Sequence, residues 1–80
     1  MENKVAILGI IVENTAAVEA LNALLHESGD YIIGRMGLPY AERKINIISI
    51  AMDAPAAVID ALTSQIAALD GVQVQAVTAR

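Results

Sequence analysis

The chain has no cysteine, tryptophan or phenylalanine, and only two tyrosines, two prolines and one histidine among 80 residues. Without cysteine there are no disulfides, thiolate zinc sites, Cys-ligated iron–sulfur clusters or thiol nucleophiles. Basic residues are scarce as well. Five Lys and Arg against nine Asp and Glu leave a net charge of −4, with no basic run. Nucleic-acid binding depends largely on phosphate neutralisation, so a direct nucleic-acid partner is not expected. The apolar run from Val5 to Val12 is too short to span a bilayer, and Glu13 and Asn14 follow where a signal peptide needs small residues. The expectation is a cytoplasmic protein with no membrane partner. What the chain has in quantity is aliphatic side chains, since 56% of its residues are hydrophobic. Eighty residues make one domain, residues 1–80, and a chain of that size buries only about 60% of its unfolded surface. That is more apolar material than one small core needs, which implies surface shared with another subunit.

Lys4 to Val12 reads as a β-branched, nearly continuous apolar strand of the kind buried on both faces. Asn14 or Thr15 can cap a helix whose apolar face is Val18, Leu21, Leu24 and Leu25. Ser28-Gly29 is predicted to end it with Gly in the left-handed conformation. Tyr31 to Met36 reads as a second strand, followed by a turn from Gly37-Leu38-Pro39 through Glu42-Arg43-Lys44. Ile45 to Met52, apolar apart from Asn46 and Ser49, reads as a second central strand. Asp53 is predicted to cap a second helix with Pro55 in its first turn and a face of Ile59, Leu62, Ile66 and Leu69. Asp70-Gly71 ends that helix, and Val72 to Val77 alternates as an edge strand does.

The order β-α-β-β-α-β is also a repeat. Residues 7–18 lie over residues 47–58 without a gap, and Gly29 matches Gly71 with two residues inserted in the second half. This pattern predicts an α+β fold, the ferredoxin-like βαββαβ sandwich, with a four-stranded antiparallel or mixed sheet and two helices on one face.

Groups able to do chemistry are few. His26 falls in the last turn of the first helix, where a cation suits the helix dipole. As a metal ligand it has only Glu27 and Asp30 nearby, whereas transition-metal sites usually draw on several His or Cys. Ser28, Ser49 and Ser64 have no base beside them in sequence, and the glycines form no phosphate-binding signature. No catalytic residue, enzyme activity or cofactor is expected. The stretch from Gly29 to Tyr40 differs, because it holds both Tyr, three of the five Gly and one of the two Pro. Arg35 can fork two hydrogen bonds onto a carboxylate or phosphate. Tyr31 and Tyr40 add amphipathic surface, while Gly34 and Gly37 permit close backbone approach. These five are the candidate ligand-binding residues, the alternative being a hairpin whose Gly and Pro serve only the turn.

Three segments carry a resemblance over nearly the whole chain: Val5 to Asn14, Gly29 to Tyr40, and Ile47-Ile48-Ser49-Ile50 with Asp53-Ala54-Pro55. In them the chain resembles the regulator family of the iron-only hydrogenase system, which is similar to ACT-like domains and to the C-terminal sensor domain of nickel-responsive repressors. The resemblance implies a small regulatory protein associated with maturation or expression of iron-only hydrogenase, and the leading expectation is an oligomeric regulatory or sensor module acting through a small anionic ligand or a hydrogenase-system protein. The alternatives are an interaction module without a ligand and a metal-responsive sensor with an intersubunit site. Amino-acid-binding ACT domains often carry Asp-x-Pro-Gly at the first strand-to-helix turn, where this chain has Glu13-Asn14-Thr15-Ala16. The nickel sensors use several His and a Cys, whereas this chain offers only His26.

The expected partner is a second copy, as a dimer or a dimer of dimers. The two central strands offer the helices either Ile7, Gly9, Ile11, Ile47, Ser49 and Ala51, or Leu8, Ile10, Val12, Ile48, Ile50 and Met52. Ala-rich helices can approach a sheet closely. The smaller set is therefore assigned to them, and Leu8, Ile10, Val12, Ile48, Ile50 and Met52 to the oligomer face.

Overall fold

The computed structural model describes residues 2–79. Its elements are β1 (Asn3–Val12), α1 (Val18–Glu27), β2 (Ile32–Tyr40), β3 (Ile45–Pro55), α2 (Ala56–Ala67) and β4 (Val72–Thr78). Single 3₁₀ turns at Thr15–Ala17, Gly29–Tyr31 and Ala41–Arg43 link them. The four strands form one antiparallel sheet in the order β2-β3-β1-β4, the ferredoxin-like βαββαβ arrangement the repeat predicts. The two continuously apolar strands, β1 and β3, are central and pair from Asn3↔Pro55 to Val12↔Asn46. The repeat offset of forty residues makes Gly9 equivalent to Ser49, and these two face each other across that pair.

Asn14 starts the first helical segment, its Oδ1 accepting from the Ala16 amide at 3.1 Å. Three other boundaries differ from expectation. Gly37, Leu38 and Pro39 are not a turn but the second half of β2, paired with Ile48, Ile47 and Asn46. An edge strand tolerates Pro because one row of its amides has no ladder partner. The chain reverses instead through Ala41–Arg43, with Lys44 in the left-handed region at φ 56°. Asp53 caps no helix, because the β1–β3 ladder continues past it (Val5↔Asp53) and α2 begins at Ala56 behind Pro55. Gly71 takes positive φ but Gly29 does not, since the chain leaves α1 through a right-handed 3₁₀ turn.

The core lies between the sheet and the two helices. Leu8, Ile10, Val12, Ile48, Ile50 and Met52 are all buried there, against Leu21, Leu25, Ile59, Leu62 and Ile66. These six sheet residues are therefore not an oligomer face, which corrects the assignment made from the Ala-rich helices. The reason lies in where the alanines point. Ala20, Ala23, Ala57, Ala61 and Ala67 face solvent, and the helices present Leu and Ile to the sheet. Large side chains on both sides interdigitate and remove more apolar surface from water than the smaller set would. The uncovered face carries Val5, Ile7, Gly9, Ile11, Ile47 and Ser49, flanked by Met36 and Leu38 on β2 and Val77 on β4.

Candidate functional site

A one-residue bulge positions Arg35. In β2, Ile32 pairs with Met52, but Gly34 pairs with Ala51 and Arg35 with Ile50, so Ile33 is the extra residue. Strict alternation from Ile32 would point Arg35 at the open face. The bulge inverts the parity and places it beside Ile50, on the helix side. There its guanidinium Nη2 donates to the Oδ1 of Asn22 on α1 at 2.8 Å. Both residues are exposed, and the partner is a neutral amide, so the cationic charge is not offset by this contact.

Between α1 and the β2 edge lies a cleft of about 260 Å³, lined by Val18, Asn22, Arg35, Gly37, Leu38, Pro39, Asn46 and Ile48. The outer strand forms its open side, every residue from Ile33 to Tyr40 being exposed. Gly37 belongs to its floor, and a Cβ there would meet no heavy atom within 4 Å. Arg35 supplies the only charge, Asn22 and Asn46 supply amides, and Val18 and Ile48 form an apolar wall. Such a lining suits a small molecule with one anionic group and a short apolar part, the cleft being somewhat smaller than the roughly 300 Å³ at which ligand pockets begin.

Of the five candidate residues, the structure brings Arg35 and Gly37 together in this cleft. Gly34 and Tyr40 pair with Ala51 and Ile45 on the open face, and Tyr40 donates its hydroxyl hydrogen to Glu42 Oε2 at 3.3 Å. Tyr31 precedes β2, and at about 3.3 Å per residue the ends of this nine-residue strand lie roughly 26 Å apart. The two tyrosines therefore do not frame a single site. Asn22 and Asn46 were missed by sequence reasoning. Asn46 carried a usable signal as a polar residue in an apolar strand. Asn22, four residues after Val18, is one turn along the same side of the helix.

His26 is exposed in the last turn of α1. Among the described residues no three His, Cys, Asp or Glu side chains gather as a metal-holding group. No helix of the described residues is long and apolar enough to cross a membrane.

The model of the TM1266-like family, described as "Iron-only hydrogenase system regulator, putative", matches residues 4–76. Among solved structures, the uncharacterized protein TM1266 from Thermotoga maritima is similar at 30% identity and TM-score 0.94, over 99% of this chain and 100% of that one. CPII, a nitrogen regulatory PII-like protein from Thiomonas intermedia K12, is similar at 21% identity and TM-score 0.53, over 96% of each chain. A formyltetrahydrofolate deformylase from Pseudomonas putida KT2440 is similar at 16% identity and TM-score 0.67, over 95% of this chain but 29% of that one. The last two likenesses are of fold. No protein of curated function matches the chain.

Proposed function

This chain belongs to the TM1266-like family of iron-only hydrogenase system regulators, and from that premise we propose that it regulates by binding a small anionic metabolite in the α1–β2 cleft, not by catalysis. One observation carries the reading: the β2 bulge turns Arg35 onto the helix side, where Asn22 holds its guanidinium at 2.8 Å over an open glycine floor. A carboxylate or phosphate entering the cleft would take the guanidinium hydrogens that Asn22 leaves, while Asn46 and the Val18–Ile48 wall select its organic part. The fold-level likeness to the deformylase carries no reaction to this chain, because it corresponds to 29% of that protein at 16% identity.

The test is a thermal-shift titration with amino acids, 2-oxo acids, nucleotides and divalent metals, since a ligand of the native state raises apparent stability by mass action. An organic anion should stabilise the parent, and Arg35→Ala should keep the fold while weakening that binding by about 1.5–3 kcal/mol, roughly 10- to 150-fold. Anions that shift parent and Arg35→Ala equally, or not at all, would sink the reading. The exposed edge of β2 supports one second reading, docking to a protein of the hydrogenase system without any ligand. Silence across the whole panel would favour it, and a response to metals alone would point to an intersubunit metal sensor.

A further inference from the structure

The uncovered face of the sheet is apolar and contoured along its middle, with Asp53 opposite Val5 at one end and Glu13 beside Gln73 at the other. Its central row is small, with Gly9 opposite Ser49, and Gln75 follows on β4. The next row toward the β1 C-terminus is bulky, with Ile11 opposite Ile47. Together they shape a trough of about 450 Å³ beside a ridge. Val5, Ile7, Met36, Leu38 and Val77 extend the apolar area, each between 49% and 70% exposed.

We propose that this face is an isologous homodimer interface, in which Ile11 and Ile47 of each copy seat in the Gly9–Ser49 trough of the other. The proposal is independent of the ligand reading above. Two observations select a second copy as the occupant. The first is shape. Ridge and trough are adjacent rows, so a two-fold axis lying between the sheets and midway between those rows sets each ridge over the partner's trough. The second is area. The chain exposes 5283 Å², about 700 Å² more than a compact monomer of its 8.4 kDa presents. A standard interface removes about 800 Å² per partner, so one such contact accounts for the excess. The two central rows carry no charged residue, and Glu13, whose Oε1 accepts from Gln73 Nε2 at 2.7 Å, marks a polar rim beside them.

Sedimentation equilibrium of the full chain at low micromolar concentration is expected to give about twice the 8.4 kDa of one chain. Ile11→Asp should raise the dimer dissociation constant by more than about 100-fold, because each substitution buries two carboxylates in an apolar contact. Its far-UV circular dichroism should be unchanged, since Ile11 is already 39% exposed in the single chain. Gly9→Val is the sharper probe. A Cβ there approaches only the Gln75 carbonyl oxygen, at 3.9 Å, so the fold accepts it. Sticky association without a seat would strengthen with the added apolar surface, whereas a filled trough weakens the dimer by at least about tenfold. A parent of 8.4 kDa throughout, Ile11→Asp associating as the parent does, or Gly9→Val associating as tightly or more so would each overturn the proposal. A larger assembly supports it if Ile11→Asp halves the mass and overturns it if the mass stays. Should Ile11→Asp lose its folded spectrum, Ser49→Asp on the same face replaces it and decides by the same criterion.

Discussion

Gly71→Ala should be among the most damaging single-methyl changes in this protein. Gly71 has φ +73°, a region that costs an L-residue about 1–2 kcal/mol. A Cβ on it would also overlap the Cβ of Asn14 and stand 3.2 Å from the Asn14 backbone nitrogen. Asn14 has little freedom to withdraw. Its Oδ1 holds the Ala16 amide at 3.1 Å, its Nδ2 reaches the Asp70 carbonyl at 3.4 Å, and the neighbouring Glu13 amide donates to the Gly71 carbonyl at 2.7 Å. Relieving the overlap therefore loosens the junction that fastens the end of β1 to the start of β4. Overpacking of that kind costs about 1–3 kcal/mol, which with the backbone term gives roughly 3 kcal/mol in all. A domain of this length has about 4–12 kcal/mol of stability, so the loss is a large share of it, a fall in Tm of about 12–24 °C. Urea unfolding followed by circular dichroism at one fixed protein concentration measures it, the concentration being held because association raises apparent stability. Gly29→Ala is the control. It lacks positive φ and its Cβ would meet nothing within 4 Å, so it should change stability by less than about 1 kcal/mol. Gly71→Asn should not rescue, because Asn tolerates the left-handed region but still carries the offending Cβ. In the double variant Asn14→Gly/Gly71→Ala the two losses should fall short of additive by about 1–2 kcal/mol, since the overlapping Cβ is gone. A Gly71→Ala protein within about 0.5 kcal/mol of the parent, or one no weaker than Gly29→Ala, would refute the argument.

Two further changes probe what the sheet and the lone histidine do. Ile10 is 1% exposed between sheet and helices, so Ile10→Ala should cost about 3 kcal/mol in the same unfolding assay, while Ile11→Ala, one residue along, should cost under about 1.5 kcal/mol when measured on the monomer; equal losses would contradict the assignment of faces. His26 is exposed at the end of α1, so His26→Ala should alter stability by less than about 1 kcal/mol. Stoichiometric metal binding by calorimetry that disappears in His26→Ala would overturn that reading.

What the sequence made legible follows from local physics. The continuous apolar runs at Val5 to Val12 and Ile45 to Met52 marked the central strands, although in the single chain only the helix side of each is buried and the expected burial on both faces is not met. The repeat between residues 7–18 and 47–58 supplied the topology, and Asn14 and Gly71 marked real punctuation. Gly37-Leu38-Pro39 misled because Gly and Pro signal a turn, yet an edge strand also tolerates Pro and places fewer demands on side chains. The candidate site was half legible. Arg35 and Gly37 share the cleft, but the two tyrosines are separated by the length of an extended strand, which a contiguous reading of the loop did not allow for.

The harder failure concerns parity, and it has a single cause. A period of two states which residues of a strand share a face and is silent on which face is covered. For β1 and β3 the answer lay in the helices, in the Leu and Ile residues they turn inward and not in their alanine count. Leu21, Leu25, Ile59, Leu62 and Ile66 need large partners, and Leu8, Ile10, Ile48, Ile50 and Met52 are those partners. In β2 even the alternation is interrupted, because the bulge at Ile33 exchanges the faces of all that follows. Were Ile33 paired in regular register with Ala51, Arg35 would lie opposite Ser49 on the open face, and Met36 and Leu38 would lie on the helix side. One unpaired residue thus assigns the charge to the cleft and the aliphatics to the open sheet. The isolated Gly34 beside it was the available sign, since a glycine within a strand pattern often marks a bulge.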